Sequence, residues 1–280
     1  QEQVDKILSL RAQLPRLRLV VYDDTRGMFH YRDPQLRSFA EVLAQGREFG
    51  AQHPGYVAAE IAKAGPDDVA LVCYTSGTTG KPKGAMISHR NIIATLHSLV
   101  PVFTQNEYDE RMCFLPLCHI AERVGGEYQS VFSGAVMNFV ENPDTVPENV
   151  REISPTVFLA VPRVWEKFYS GVQIALRQAG PLQQWAYKLA IGVGYRQARL
   201  REEGKPVPFA LAVLFRLARL CVLDNVRKVI GVHRARVLAT GAAPISPDLL
   251  RWYMALGLEM VEVWGMTETC GTGTANPIGK

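Results

Sequence analysis

The chain has 280 residues, of which 48% are apolar and 21% are charged, and its formal net charge is +4. This composition indicates a folded protein with a sizeable hydrophobic core and excludes an intrinsically disordered chain. The small positive charge is not gathered into a basic stripe, so nucleic acid is not an expected partner, and no apolar run is long enough to predict a transmembrane helix.

In chain order, the hydrophobic pattern predicts strands that alternate with helices. The predicted helices cover residues 1–14, 38–51, 88–100, 120–132, 146–153, 162–203 with a break at 180–181, 210–230 and 247–256. The predicted strands cover residues 19–22, 68–73, 85–87, 112–115, 135–140, 156–161, 235–239 and 258–263. Such alternation is typical of an α/β fold with mostly parallel sheets flanked by helices.

One predicted helix is apolar nearly all round. Residues 209–223 contain only two charged side chains, Arg216 and Arg219, and are too few to span a bilayer. A buried core helix is the favoured interpretation. The alternative is a helix on a membrane surface, with both arginines reaching the lipid headgroups.

A loop rich in Gly, Ser and Thr, residues 74–84, follows the strand at 68–73, whose apolar run predicts a buried, parallel strand. Glycines let the backbone N–H groups approach an anion closely, and the hydroxyl and lysine side chains add donors and positive charge. The loop therefore predicts a polyphosphate site rather than a flexible linker. It is not a Walker loop, because Thr75 replaces the first glycine of that pattern and Pro82 replaces its Ser or Thr.

Residues 74–84 instead resemble, without a break, the phosphate-binding signature of the adenylate-forming superfamily, which contains acyl-CoA synthetases, luciferases and peptide-synthetase adenylation domains. The resemblance implies that this loop holds the β- and γ-phosphates of ATP. The residues it assigns to that role are Thr75, Ser76, Gly77, Thr78, Thr79, Gly80, Lys81 and Lys83.

Two further stretches at predicted strand ends point to the same site, because ligands of open α/β sheets bind beyond the carboxyl ends of the strands. Residues 264–269 place Thr267 and Glu268 where they could bond a phosphate oxygen and Mg²⁺, although an ordinary loop glutamate is the alternative. This stretch resembles the superfamily's Tyr-Gly-x-Thr-Glu motif, with tryptophan in place of tyrosine. The resemblance implies that adenine is bounded by Trp264, Gly265, Gly241, Ala242 and Ala243.

His119 is the remaining candidate catalytic residue. It lies in residues 115–123, and the superfamily places a histidine or an aromatic residue of this region beside the carboxylate that is activated. A lone histidine is otherwise more often structural, and a metal site with Cys113 and Cys118 is disfavoured against buried thiols. Residues 115–123 and 161–167 resemble the long-chain acyl-CoA synthetase branch.

The resemblance implies activation of a long-chain fatty acid by ATP, with Mg²⁺, to an acyl-adenylate and then, with coenzyme A, to acyl-CoA. Residues 1–280 match the central part of the large AMP-binding domain, without the small C-terminal domain, so weak turnover by the chain alone is expected. An acyl-AMP ligase that loads a carrier protein and a non-catalytic nucleotide-binding fragment remain alternatives. The expected location is the cytoplasm, while a homodimer and peripheral contact with the inner face of a membrane are left open.

Overall fold

The computed structural model describes residues 1–75 and 80–276. The chain divides into two compact units, residues 1–65 and 66–280. None of the helices in the described residues combines the length and apolarity that a bilayer crossing requires.

The first unit is built around a small parallel pair of strands. Its elements are helix α1 (Glu2–Ser9), strands β1 (Val20–Tyr22) and β2 (Leu36–Ser38), and helices α2 (Phe39–Gln52) and α3 (Tyr56–Ile61). The Ser38 hydroxyl accepts the Glu41 N–H, and the Glu41 carboxylate accepts the Ser38 N–H, which fixes the start of α2. The helix predicted for residues 1–14 is shorter: α1 ends at Ser9 and a 3-10 turn precedes Pro15, which disfavours helix in the residue before it.

The second unit begins with a hairpin rather than with a strand of the main sheet. Strands β3 (Val69–Thr75) and β4 (Lys83–Ser88) pair antiparallel, and helix α4 (His89–Leu99) follows. The predicted parallel, buried strand is therefore wrong: in β3 only Cys73 is buried. The connection from Thr75 to Lys83 is too short for the crossover that a parallel pair needs, so the chain must return antiparallel.

The remaining elements form a six-stranded sheet and its flanking helices. In chain order they are β5 (Glu110–Cys113), α5 (Ile120–Glu122), α6 (Gln129–Ser133), β6 (Val136–Phe139), α7 (Val146–Ile153), β7 (Val157–Ala160), α8 (Pro162–Gln178), α9 (Pro181–Glu202), α10 (Phe209–Ala218), α11 (Asp224–Ile230), β8 (Val237–Gly241), α12 (Pro247–Ala255), β9 (Met260–Trp264) and β10 (Thr274–Ala275). The strand order is β10-β9-β8-β7-β5-β6, and every pair is parallel except β9 with β10. The predicted α/β fold with a mostly parallel sheet is confirmed.

Two hydrophobic clusters hold the second unit together. In the larger one, Trp165 of α8 and Tyr253 of α12 are fully buried, and the Tyr253 hydroxyl donates to the Trp165 carbonyl at 2.8 Å. The smaller cluster joins the hairpin to α4 and α5 through Cys73, Ile87 and Leu96 among others. Consequently the hairpin packs beside α5, which follows the carboxyl end of β5.

The apolar stretch 209–223 is helical but not buried. It comprises α10 and a π-helical segment (Arg219–Leu223), and α11 continues from it. Phe215 and Leu223 are buried, whereas Phe209 and Leu220 are 84% and 76% exposed. The favoured expectation of a buried core helix is wrong for these residues, because α10 packs on α9 along one face only.

Candidate active site

A cavity of about 740 Å³ lies at the carboxyl edge of the sheet. Because β5, β7, β8 and β9 run parallel, the residues that follow each strand meet at this edge. The residues lining the cavity are Thr75, Lys83, Leu115, Pro116, His119, Ile120, Ala121, Gly125, Leu159, Ala160, Val161, Gly241, Ala242, Val263, Gly265, Met266, Thr267, Glu268, Gly271 and Thr272.

The two ends of the Gly/Ser/Thr loop line this cavity. Thr75 and Lys83 are partners in the β3–β4 register, and the Thr75 hydroxyl donates to the Lys83 carbonyl at 3.4 Å. Ser76, Gly77, Thr78 and Thr79, which the sequence assigns to phosphate, lie outside the described residues. Gly80 and Lys81 are exposed and do not line the cavity. The hairpin thus fixes both ends of the loop at the cavity wall.

The candidate metal ligand, Glu268, lines the same cavity although it lies far from the loop in the sequence. Glu268 and Thr267 belong to a 3-10 turn (Thr267–Thr269) that follows β9, and both line the cavity. The turn is held by a hydrogen bond from the Met266 N–H to the Thr269 hydroxyl at 3.1 Å. It also packs against β4, so Glu268 and the lysine-bearing strand share one wall.

Gly265 allows the chain to enter that turn. A Cβ atom at this position would lie 1.9 Å from the carbonyl oxygen of Gly271, so no larger residue fits without moving the backbone. Gly265 therefore has a structural reason to be glycine, in addition to its predicted contact with the nucleotide.

The end of β8 supplies two of the predicted adenine neighbours. Gly241 and Ala242 line the cavity, and Ala242 has a φ of 66°, a left-handed conformation that costs a non-glycine residue free energy. Ala243 is exposed and does not line the cavity. Trp264 is 59% exposed, and a Cβ atom on Gly273 would lie 2.8 Å from its ring, so the ring lies close over that backbone. The roles assigned to Ala243 and Trp264 stay predictions.

His119 lines the cavity just before α5. Its Nδ1 accepts the N–H of Ala121 at 3.2 Å, so the neutral imidazole carries its proton on Nε2. Nε2 is then a donor, which suits a carboxylate oxygen as its partner.

Two buried ionisable side chains, Glu122 and Arg111, hold the backbone on either side of His119, and neither of them was assigned a role from the sequence. The Glu122 carboxylate accepts the Leu115 N–H at 3.1 Å, and the Arg111 guanidinium donates to the Gly125 carbonyl. Both side chains are buried, and a Cβ atom at position 126 would lie 2.0 Å from a Glu122 oxygen. Glycine at position 126 therefore leaves the room that the carboxylate occupies.

Burial sets the ionisation of this cluster. It raises the pKa of Glu122 and lowers the pKa of Arg111, while the charge of each partly opposes the shift of the other. Burial beside Glu122 also raises the pKa of Cys113 to about 11, so this thiol stays protonated. Cys113 is buried as expected, whereas Cys118 is exposed, contrary to expectation, because it lies in the loop beyond β5.

The cavity suits a metal that is bound mainly through phosphate. Among residues 1–75 and 80–276, no group of three His, Cys, Asp or Glu side chains is placed to hold a metal ion. Mg²⁺ in nucleotide sites keeps several waters and uses one or two carboxylates together with the substrate's phosphates. A single carboxylate, Glu268, which lines the cavity together with one lysine and three threonine hydroxyls, fits that donor set.

The sequence of the chain is similar to those of known proteins. The sequence profile of the AMP-binding enzymes matches residues 2–280. The chain is 30% identical over 283 residues to the long-chain-fatty-acid–CoA ligase ACSBG2 of Xenopus laevis, which covers 98% of the chain and 37% of the relative. It is 32% identical over 281 residues to the long-chain-fatty-acid–CoA ligase ACSBG2 of Gallus gallus, a match that covers 97% of the chain and 35% of the relative. The chain therefore spans little more than a third of these relatives' length.

The fold likeness extends to solved structures. The inhibitor-bound N-terminal domain of FACL13 from Mycobacterium tuberculosis superposes with a TM-score of 0.54 at 20% identity, over 92% of the chain and 53% of that domain. At this identity the likeness supports the fold alone.

Proposed function

The chain belongs to the family of AMP-binding enzymes, and on that premise we propose that its cavity binds ATP and a long-chain fatty acid and joins them into an acyl-adenylate. The observation that carries the proposal is that both ends of the Gly/Ser/Thr loop, His119 and Glu268 line one cavity. The loop ends belong to the β3–β4 hairpin, His119 lies at the start of α5, and Glu268 follows the end of β9. The convergence of three separate elements on one cavity favours a binding site over an ordinary surface loop.

In the proposed first step, a carboxylate oxygen of the fatty acid attacks the α-phosphorus of ATP, and the bond to pyrophosphate breaks. The Nε2–H of His119 donates to the other carboxylate oxygen and orients it. Lys83 stabilises negative charge on the departing phosphates, and the Thr75 hydroxyl adds a donor there once it rotates away from the Lys83 carbonyl. No general base is needed, because the fatty acid is already ionised at neutral pH.

Glu268 has the proposed role of holding Mg²⁺ against the phosphates, and the metal would neutralise charge there. Thr267, one residue earlier in the same turn, is within the cavity to bond a phosphate oxygen. Gly241 and Ala242 present backbone with little side-chain bulk, so a flat purine can approach the end of β8.

In the proposed second step, the thiolate of coenzyme A attacks the acyl carbonyl and AMP leaves. The choice of fatty acid and coenzyme A is supported by the names of the Xenopus and Gallus relatives, which are long-chain-fatty-acid–CoA ligases. The proposal extends to the larger protein of which residues 1–280 would form the central part of the AMP-binding domain.

The test is ATP–pyrophosphate exchange that depends on added fatty acid, across acids of increasing chain length. The proposal expects exchange with long-chain acids, thioester formation when coenzyme A is added, and loss of exchange in Glu268→Ala. Transfer to a carrier protein but not to coenzyme A would indicate an acyl-AMP ligase. ATP binding without exchange in any form of the protein would indicate a non-catalytic nucleotide-binding chain and would contradict the proposal.

A further inference from the structure

Helix α9, helix α10 and the π segment after it expose a set of large apolar side chains, which we call the apolar helical face. Its members are Leu182, Trp185, Leu189, Phe209, Leu217 and Leu220. The three residues of α9 are spaced by three and four positions, and Phe209, Leu217 and Leu220 follow helical spacing in the second helix, so each set forms one stripe.

These stripes lie on the sides of the helices that are not packed against the protein. Along α9, Ala190, Ile191, Gly194 and Ala198 are buried, and a Cβ atom at position 194 would lie 2.0 Å from the carbonyl oxygen of Ala255 in α12. This close packing fixes which side of α9 faces inward. Trp185 remains 60% exposed on the outer side.

Positive charge is concentrated in the same segment. Residues 181–220 contain seven Lys and Arg side chains and two acidic ones, an excess of five, whereas the whole chain has a net charge of only +4. The two acidic residues are already paired, Glu202 with Arg251 and Glu203 with Arg199 and Lys205.

Three of the basic residues have no such partner. Within the described part of the chain, Lys188, Arg196 and Arg216 form no ion pair and are exposed. Lys188 lies next to Leu189, and Arg216 next to Leu217. Each apolar stripe therefore has an unpaired, exposed basic side chain on its own helix.

We propose that the apolar helical face docks on the surface of a bilayer that contains anionic phospholipid. The apolar side chains enter the boundary between headgroups and acyl chains, while Lys188, Arg196 and Arg216 extend to the lipid phosphates. A bilayer surface offers both an apolar interior and negative charge, which is the combination this face complements. A second copy of the chain would bring the same unpaired basic residues into opposition.

This docking does not depend on the proposed function, so it is measured without nucleotide or fatty acid. The 280-residue chain is mixed with vesicles of phosphatidylcholine alone and of phosphatidylcholine with phosphatidylglycerol, and the bound fraction is determined by flotation. We expect binding to the anionic vesicles, weakened by high salt, together with a blue shift of tryptophan emission that is reduced in Trp185→Phe.

Matched variants separate the contribution of the apolar side chains to vesicle binding from that of the basic side chains. Leu220→Ser should lower the partition coefficient about tenfold, whereas Val131→Ser, a similarly exposed residue of α6, should leave it unchanged. Arg216→Gln should lower it about fivefold, and Arg16→Gln, an exposed arginine of the first unit, should not.

Three outcomes would overturn the proposal. The first is no binding to either vesicle. The second is binding that is equal for neutral and anionic vesicles or insensitive to Leu220→Ser. The third is a concentration-dependent dimer in light scattering that Leu220→Ser dissociates, since the face would then be covered by a second copy.

Discussion

Lys83, at the start of β4, and Glu268, in the turn after β9, line the same cavity although they lie far apart in the sequence. One belongs to the two-stranded hairpin and the other to the six-stranded sheet. They are brought together because the 3-10 turn that carries Glu268 packs against β4. A cavity lined by a lysine and a glutamate suits a polyanion with a bound cation, because the lysine can bind the anion and the carboxylate can bind the cation.

Glu268→Gln tests the proposed metal ligand without changing side-chain size. The neutral amide cannot replace a carboxylate on Mg²⁺, so acid-dependent exchange should fall by about 100-fold or more. Glu262→Gln, at an exposed position of β9, the strand that precedes this turn, is the matched control and should keep its exchange rate. Equal rates for the wild type and Glu268→Gln would remove Glu268 from the site.

Gly265→Ala tests the close packing of Gly265 against the Gly271 carbonyl in the bend after β9. The new methyl group would meet the carbonyl of Gly271, so the free energy of unfolding should fall by about 1–3 kcal/mol. Denaturant unfolding measures this change. In Gly171→Ala of α8, where nothing lies within 4 Å, the methyl group should instead stabilise the protein by up to about 1 kcal/mol. A Gly265→Ala protein as stable as the wild type would contradict the packing described.

Asp109→Asn tests the charged contact at the amino end of β5. Burial alone would raise the pKa of Asp109, but hydrogen bonds from Arg236, from the Thr156 hydroxyl at 2.7 Å and from the Asn106 N–H at 2.8 Å lower it overall. The carboxylate therefore stabilises the folded state above the ordinary aspartate pKa, and this contribution is lost as the pH falls through the lowered value.

At neutral pH, Asp109→Asn should lower the free energy of unfolding by about 1–3 kcal/mol, because the partly exposed Arg236 loses its charged hydrogen-bond partner. The difference from the wild type should narrow below about pH 4. Urea unfolding curves over this pH range give the comparison, and a difference that does not change with pH would show that the charge of Asp109 is unimportant.

Glu122→Gln gives the opposite pH dependence. Because burial raises the pKa of Glu122 despite the nearby Arg111, the folded state binds more protons than the unfolded state. Wild-type stability should therefore fall, relative to Glu122→Gln, as the pH rises from about 4 through the raised pKa. The amide oxygen can still accept the Leu115 N–H.

Unfolding of Glu122→Gln in denaturant at several pH values measures this difference, with the exposed Glu141→Gln as the control. A constant difference between the wild type and Glu122→Gln would mean that the carboxyl titrates alike in the folded and unfolded chains.

Much of the main sheet could be predicted from the sequence because its strands are short apolar runs between clear helix starts. The helix predicted for residues 88–100, for example, begins where Ser88 caps α4. The antiparallel pairing of β3 was missed because an apolar run does not show which strand it pairs with. Here the short loop between β3 and β4 makes β4 the neighbouring strand. Glu122 was missed because burial of a carboxylate depends on Arg111 and Gly126, whose proximity only the fold creates.

The site was predictable only where its residues lie in a contiguous motif. Thr75, Thr267 and Glu268 were identified in this way, whereas Thr272 reaches the cavity through the bend after the 3-10 turn and lies outside every motif. The exposure of Phe209 was misjudged for a related reason, since an all-apolar helix does not show which side its neighbour covers.

The most direct test of the account is isothermal titration of Lys83→Ala with ATP and with AMP, both in the presence of Mg²⁺. If the ends of the loop contact the β- and γ-phosphates, ATP affinity should fall at least about tenfold while AMP affinity stays as in the wild type. Lys167→Ala, an exposed lysine of α8, should change neither. Unchanged ATP affinity in Lys83→Ala, or an equal loss for ATP and AMP, would contradict the claim that this hairpin holds the phosphate tail of a nucleotide.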